Sequence, residues 1–293
     1  MTVPALPTLA CVVLTMGDRP VELARALASV RALEGEPVEL LVVGNGVDVD
    51  PSVLPEGART LRLPENVGIP AGRNAGVAHT DADVVLFLDD DGWYPDPHLA
   101  DHLRALFAAR PRLGIVSFRV VDPDGGPGEQ RHVPRLGRTD PGHSSDVTTF
   151  LGGACAVRRA VFDEVGGLPD QFFFGFEESD LAWRALDAGW SIRYDAGSRM
   201  CHPALPPTRH ASYYRLNARN RAWLVRRNLP APLVVVHLFV WAVLTGVRTR
   251  FGSGYAVWLR GLREGLRTDP GPRRPMRWRT VWRMTALRRP PIF

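Results

Sequence analysis

The sequence predicts an α/β fold: a mostly parallel sheet flanked by helices, followed by a helical, basic C-terminal extension. Three observations predict it. Short apolar runs alternate with helical stretches through the first half of the chain; Gly, Pro and Asp punctuate them; and composition changes abruptly after Pro230. With 293 residues, 45% of them apolar, the chain is long enough for one large domain or one domain plus an appendage, and too apolar for disorder to be the default. The boundary at Pro230 divides it into 1–229 and 230–293. Three scattered cysteines, Cys11, Cys155 and Cys201, exclude a disulfide framework and fit a reducing compartment. The net charge of +5 is modest but uneven, with acids concentrated before Asp195 and arginines crowding the last third. Such a tail faces something anionic, lipid headgroups or nucleic acid.

Taken in order, Leu9–Leu14 is a buried strand and not a signal peptide, since it lacks a basic n-region and a long apolar core. Asp18 is placed to cap a helix from Pro20 to about Leu33, with proline early as helix starts prefer. Strands follow at Val38–Val43 and Arg59–Leu63, then a helix over Pro70–His79 whose Ala71, Gly72, Ala75 and Gly76 permit close packing. Val84–Leu88 is a further strand, Pro97–Ala109 a helix and Gly114–Val121 a strand. The Gly-, Pro- and Arg-rich stretch Asp122–Asp146 reads as a long loop or a pair of weak strands. Beyond it the pattern predicts strands at Thr148–Phe150 and Ala154–Val157 around a Gly152-Gly153 turn. Helices over Arg159–Val165 and Ser179–Ala188 and a strand over Ser191–Tyr194 complete the series.

Asp89-Asp90-Asp91 stands directly after the strand VVLFL, and strand ends of open parallel sheets are where ligands bind. Three adjacent carboxylates repel one another unless a cation or donors offset them. Mg²⁺ or Mn²⁺, hard ions that take oxygen ligands and share them with phosphates, would do so. Taken alone, the cluster reads equally well as an acidic turn ahead of a helix.

Two further segments change that balance: Pro64–Gly76 (PENVGIPAGRNAG) upstream and Phe172–Arg184 (FFFGFEESDLAWR) downstream. From about Leu9 to Asn228 these motifs, in order and spacing, resemble family 2 glycosyltransferases of the GT-A fold, in an actinomycete-like bacterial branch. The resemblance implies an inverting transferase that uses a nucleotide-sugar donor and a divalent cation in cell-wall or polysaccharide synthesis. It places Asp89 and Asp91 at the ends of a DxD motif, Asp89 near the donor ribose and Asp91 on the metal, with Asp90 between them. Arg73 matches a basic residue near the nucleotide, and Thr15 lies in a loop that meets the base. His202 falls where relatives carry a histidine on the metal or diphosphate. Glu178 aligns with the family's catalytic base, with its neighbour Glu177 as the fallback; a carboxylate in reach of an acceptor hydroxyl takes its proton as the new bond forms. Gly153 resembles an acceptor-side glycine turn, and Phe174 and Trp183 are expected to line the acceptor site. Asp180 reads as charge compensation at a helix N-terminus. Arg219 or Asn220, in a Tyr-Arg-x-x-x-Arg-Asn segment that reads otherwise as a basic amphipathic helix bridging to the tail, is expected to reach the diphosphate.

One departure stands out. Relatives often carry Asp after the second strand to read the base; here the sequence is Val43-Gly44-Asn45-Gly46. Asn45 is left as the candidate base contact, and the same residues read equally as a tight turn. A nucleotidyltransferase is the enzyme alternative, but Thr15-Met16-Gly17-Asp18-Arg19 is a poor phosphate loop. A sugar-nucleotide binder that has lost catalysis is the other, with the retained Asp cluster and Glu178 against it.

In the extension, Leu233–Val247 is about 15 nearly uniformly apolar residues, short of the ~20 needed to cross a bilayer. A buried hairpin helix, a contact in a homo-oligomer and a membrane-seated helix are the three readings. The flanking arginines, with Trp241, Trp258, Trp278 and Trp282, favour peripheral attachment to an anionic membrane over a span. The chain is therefore expected at the cytoplasmic face of the plasma membrane, acting on a saccharide or lipid-linked acceptor. It carries no recognised nucleic-acid motif.

Overall fold

The fold was described from a computed structural model, over residues 6–123, 132–136, 140–203 and 213–292. Eight strands form one sheet: β1 (Leu9–Thr15), β2 (Val38–Asn45), β3 (Arg59–Leu63), β4 (Val84–Asp89), β5 (Leu113–Val121), β6 (Ser145–Asp146), β7 (Ala154–Arg158) and β8 (Ser191–Cys201). Their spatial order is β3-β2-β1-β4-β7-β5-β8-β6. Neighbours from β3 to β4, and the pair β5 and β8, are parallel; β7 runs against both β4 and β5, and β6 against β8.

Alternation along the strands builds two apolar layers, as the two-residue period of a strand demands. Cys11 and Val13 face one layer with Leu40, Val42, Leu86 and Leu88, under helices α1 (Pro20–Arg31) and α3 (Leu99–Ala109). Val12 faces the other with Leu41, Val43 and Phe87. That second layer is covered by α2 (Gly68–Ala78), α4 (Arg159–Val165), α5 (Glu177–Ala188) and α6 (Tyr213–Asn228). Gly72 and Gly76 let α2 lie against β1, because a methyl group at either would overlap Leu14 or Val12.

Several expectations are corrected. Thr148–Phe150 is not a strand; the short strand lies earlier, at Ser145–Asp146. Asp18 does not cap α1, whose N-cap is Arg19 with no side-chain bond. Part of Asp122–Asp146 lies outside the described residues. α5 begins two residues early, so Glu177 and Glu178 occupy its first turn. Asp180 falls in the same first turn, where an acid suits the helix end, but it has further partners. Fully buried, it accepts bonds from Arg184 Nε at 2.7 Å, Arg227 Nε at 2.8 Å and Asn228 Nδ2 at 2.7 Å, clamping α5 to α6.

Three helices follow, α7 (Ala231–Arg248), α8 (Ser253–Arg267) and α9 (Trp278–Ala286). α8 lies along α6, where Gly261 and Gly265 allow close backbone approach. Met276, Val281 and Met284 join the core layer of Trp183 and Trp190. Trp258 is buried and not interfacial, stacked on Tyr255, whereas Trp278 and Trp282 are exposed. α7 is long and apolar enough to cross a membrane by length and composition, 18 residues with a mean hydropathy of 1.8, yet only 11% of that stretch is buried.

Candidate active site

The C-terminal ends of β1, β2 and β4 open onto a cavity of about 360 Å³ lined by Thr15, Arg19, Asn45, Arg73, Asp89–Asp91, Phe174 and His202. A second cavity, of about 280 Å³, adjoins it and is lined by Gly152, Gly153, Gly175, Glu177 and Glu178. Ile69, Arg73, Asp89, Phe174 and His202 line both, so the two acidic clusters face one continuous cleft.

β4 ends on Asp89, and the turn that follows separates the three carboxylates. Asp90 accepts from the Thr15 hydroxyl at 2.8 Å and faces Arg19 at 3.4 Å. Burial pushes its carboxyl up to about 6 despite those partners. Asp91 is buried, paired with Arg19 and 3.0 Å from His202 Nε2. Asp89 accepts from Arg73 Nη2 at 2.9 Å. Arg73 is itself buried and stands 4.0 Å from Glu178. Burial works against its charge, but Asp89, Glu178 and Glu177 together hold its pKa above the usual value. It thus joins the two clusters electrostatically.

Asp89, Asp91 and His202 each offer a ligand atom within 4.8 Å of the others. The set suits a divalent cation: two carboxylate oxygens, and an imidazole whose Nδ1–H donates to the Pro203 carbonyl at 2.7 Å. That bond orients the ring, and a cation would take the place of the Nε2–H now directed at Asp91. Cys201 adds no zinc site, for no second cysteine joins the cluster among the described residues.

On the other side, Glu177 is 1% exposed and its Oε2 has no partner, while the Glu178 side chain is 24% exposed. Burial raises both carboxyls; the neighbouring Glu178 carboxylate adds to the rise at Glu177, and Asp89 adds to that at Glu178 against the opposing Arg73. The Gly153 carbonyl accepts from the Asp89 backbone N–H at 3.3 Å, and a methyl group on Gly153 would overlap the Asp89 carboxylate. The glycine turn therefore touches the acidic cluster directly.

Asn45 lines the cleft, but its amide is occupied, donating to Asn66 Oδ1 at 3.0 Å and accepting from Val67 N at 2.9 Å. Gly44 is demanded by the tight turn, since a Cβ there would strike the Val47 carbonyl. Two expected site residues lie elsewhere. Trp183 is buried on the opposite face of α5, edge-on to His237, and lines neither cavity of the cleft. Arg219 stacks on Trp223 at 4.3 Å and donates to the Phe172 carbonyl at 3.0 Å; the stacking turns it away from the cleft. Its neighbour Asn220 does more for the site, donating at 2.9 Å to Phe172, Phe174 and Gly175 carbonyls and so shaping the aromatic loop. Arg19 was missed by sequence reasoning; a lone arginine after a first strand carried no motif, and only the fold brings it to Asp90 and Asp91.

Comparison with known proteins agrees with this architecture. The family model described as Glycosyl transferase family 2 matches residues 11–166, more than half of the chain. A pre-mycofactocin glycosyltransferase of Mycobacterium tuberculosis is 29% identical over 196 residues, covering 60% of this chain and 37% of that protein. The chain thus spans little more than a third of that relative. An N-acetylglucosaminyl-diphospho-decaprenol L-rhamnosyltransferase of the same organism is 28% identical over 225 residues, 61% of this chain and 71% of that one. Among solved structures, the mannosyltransferase PcManGT of Pyrobaculum calidifontis, in complex with GDP-Man and Mn²⁺, superposes with a TM-score of 0.61 at 17% identity, covering 90% of this chain and 88% of its own. GalNAc-T7 with UDP, GalNAc and Mn²⁺ superposes at 0.62 with 14% identity, covering 91% and 55%. The shared fold is that of GT-A enzymes.

Proposed function

The chain belongs to glycosyl transferase family 2, and from that premise we propose an inverting, divalent-cation-dependent transfer of a sugar from a nucleoside-diphosphate donor to an acceptor hydroxyl. The observation that carries the proposal is the continuity of the cleft: Asp89–Asp91 on one side, Glu178 on the other, and Arg73 between them. Thr15, Arg19 and Arg73 border the donor half. A cation held by Asp89, Asp91 and His202 would neutralise charge developing on the departing diphosphate.

Glu178 is the base. It is the more accessible of the two glutamates, and its raised pKa brings it closer to neutrality, where proton uptake is effective. As the acceptor oxygen bonds to the anomeric carbon, Glu178 takes the hydroxyl proton and the bond to the diphosphate breaks with its electron pair. One displacement inverts the centre, and no carboxylate nucleophile is needed. Glu177, buried beside it, has its carboxyl pushed up by burial and by Glu178 and is the less accessible of the two. Gly153 and Phe174 border the acceptor half.

Residues 1–229 form the catalytic unit in this reading, and 230–293 seat it on the cytoplasmic face of the plasma membrane. α7 exposes Val235, Phe239, Val243 and Val247, and Phe251, Trp278 and Trp282 are exposed nearby in sequence or beyond it, interspersed with exposed Arg248, Arg250 and Arg279. This mixture suits an anionic lipid surface. The buried His237 side of α7 packs on the domain, which favours lying on the bilayer over crossing it. A lipid-linked acceptor fits that placement, and the rhamnosyltransferase relative is named for a diphospho-decaprenol substrate.

The test is Glu178→Gln assayed with Mn²⁺ and a panel of nucleotide sugars. Nucleoside-diphosphate affinity should stay within twofold of wild type while transfer falls at least 10²-fold, in line with loss of a general base. Transfer that survives the substitution places the base elsewhere.

A further inference from the structure

A third cavity, of about 100 Å³, lies where α5, α6 and α7 meet the C-terminal tail. Its polar lining includes Thr149, Ser179, Arg221, His237, Trp241 and Arg289, and among the described residues no carboxylate lines it. Arg221 is 5% exposed and held between two rings, 3.5 Å from the Trp241 centroid and 4.6 Å from that of Phe176. Its Nη1 donates to His237 Nε2 at 3.1 Å, so that nitrogen carries a lone pair. His237 Nδ1–H donates to the Pro291 carbonyl at 2.7 Å, which makes the imidazole neutral. Two donors remain buried and unmatched, Arg221 Nε and Trp241 Nε1.

Burial is the main influence on Arg221 and outweighs the opposing contribution of Tyr213, the next largest; Arg248 and Arg289 add smaller repulsion, and its pKa is pushed down to about 9. Arg289 is likewise depressed by burial, with no acid offsetting it. Burying a charge without a counter-ion is costly, and two guanidiniums at one cavity compound the cost. The aromatic faces offset part of it. An anion would offset the rest.

We propose that this cavity binds a phosphate or diphosphate group through Arg221 and Arg289, as the recognition point for a phosphorylated acceptor. The assignment of acceptor rests on the transferase reading above; the anion chemistry does not. Guanidinium forks match phosphate oxygens, and the Thr149 and Ser179 hydroxyls, 3.5 Å apart, add neutral donors. Ser179 lies in the first turn of the 12-residue helix α5, whose positive end is already met by Glu177, Glu178 and Asp180, so the attraction for an anion comes from the guanidiniums. Ser179 follows Glu178 directly in that turn, and Phe176, which lines this cavity, is flanked in sequence by Gly175 and Glu177 of the acceptor half. Trp241 belongs to α7, so an apolar chain leaving the pocket meets the exposed face of that helix.

The test is calorimetric titration of the full chain with two probes, inorganic pyrophosphate and farnesyl diphosphate, in EDTA so that no cation bridges them to Asp89 and Asp91. Wild type should bind at least one probe, and Arg289→Gln should weaken it tenfold or more without altering thermal unfolding of the ligand-free protein. Arg221→Lys, which keeps the charge but loses the fork, should weaken it as well. Farnesyl diphosphate binding tenfold tighter than pyrophosphate assigns the pocket to a lipid headgroup; equal affinities assign it to free phosphate. No binding of either probe, or affinities unchanged in Arg289→Gln, overturns the proposal. Nucleoside-diphosphate binding with Mn²⁺, measured separately, tells a failure of the transferase reading from a failure of the pocket.

Discussion

Replacing Asp180 with alanine should destabilise the protein by about 3 kcal/mol, at the lower end of the range for breaking a buried ion pair. Asp180 is completely buried and receives three donors, from Arg184, Arg227 and Asn228. The alanine variant orphans those donors, but not all their hydrogen bonding. Arg184 keeps the Gly166 and Gly167 carbonyls at 3.1 and 2.8 Å, Arg227 keeps the Pro270 carbonyl at 2.7 Å, and Asn228 keeps the Leu224 carbonyl at 3.0 Å. These retained bonds place the estimate at the lower end. For a chain of this size, about 2–3 °C per kcal/mol gives a drop in Tm of roughly 6–9 °C. Circular dichroism at pH 7.5 measures it, and Asp180→Asn, which keeps the shape and one acceptor, should fall between wild type and alanine. A shift below about 2 °C for Asp180→Ala would refute the view that this carboxylate clamps α5 to α6. Because α5 carries Glu177 and Glu178, lost activity in a variant of unchanged stability would point to a role in the cleft instead.

Two further outcomes are expected. Asp195 is buried; burial pushes its carboxyl up, but His102 Nε2 at 2.8 Å and the Ser198 N–H and hydroxyl at 2.9 Å outweigh it and hold the pKa at about 2. A depressed carboxyl contributes stability above its unfolded value near 4 and loses it as pH falls toward 2, so Asp195→Asn should cost about 2 kcal/mol at pH 7 and progressively less below pH 4. Urea melts at pH 7 and pH 3 check the sign; an equal cost at both pH values would contradict it. Deleting residues 278–292 and exchanging Phe239 and Val243 for glutamate should each reduce flotation with anionic vesicles, and flotation equal to wild type in both would argue against the membrane seat.

Local signals were legible where one element decided them. β3 and α4 have the boundaries their residue patterns predict, and Asp89-Asp90-Asp91 sits at a strand end because an apolar run of strand length precedes it. The turn read at Gly44-Asn45-Gly46 comes slightly later than expected: Gly44 and Asn45 still pair as the end of β2, and the chain bends at Gly46, whose N–H returns to the Gly44 carbonyl at 3.1 Å. Signals that depend on distant partners were not legible. Asp180 looked like a helix-start acid because its partners Arg227 and Asn228 lie on another helix. Trp183 was misplaced despite an available clue: five residues after Glu178, at about 100° per residue, it points roughly 140° away around the helix. Arg219 was drawn toward the cleft by the motif it resembles, but its stacking partner Trp223, four residues on, lay one turn along the same face. Arg19 and Arg221 carried no local signature, since charge complementarity across a fold is a tertiary property.

β7 runs against both of its neighbours, and this reversal determines how the cleft is partitioned along the chain. It brings the N-terminal start of one strand to the rim where β4 terminates, so two uninterrupted stretches of polypeptide meet there. The walls before Gly92 come from the first stretch and those after Leu151 chiefly from the second. A crossover joint within α3 would consequently exchange most of the acceptor wall as one module, but it would carry His202 and Phe174, which also line the nucleotide half, along with it.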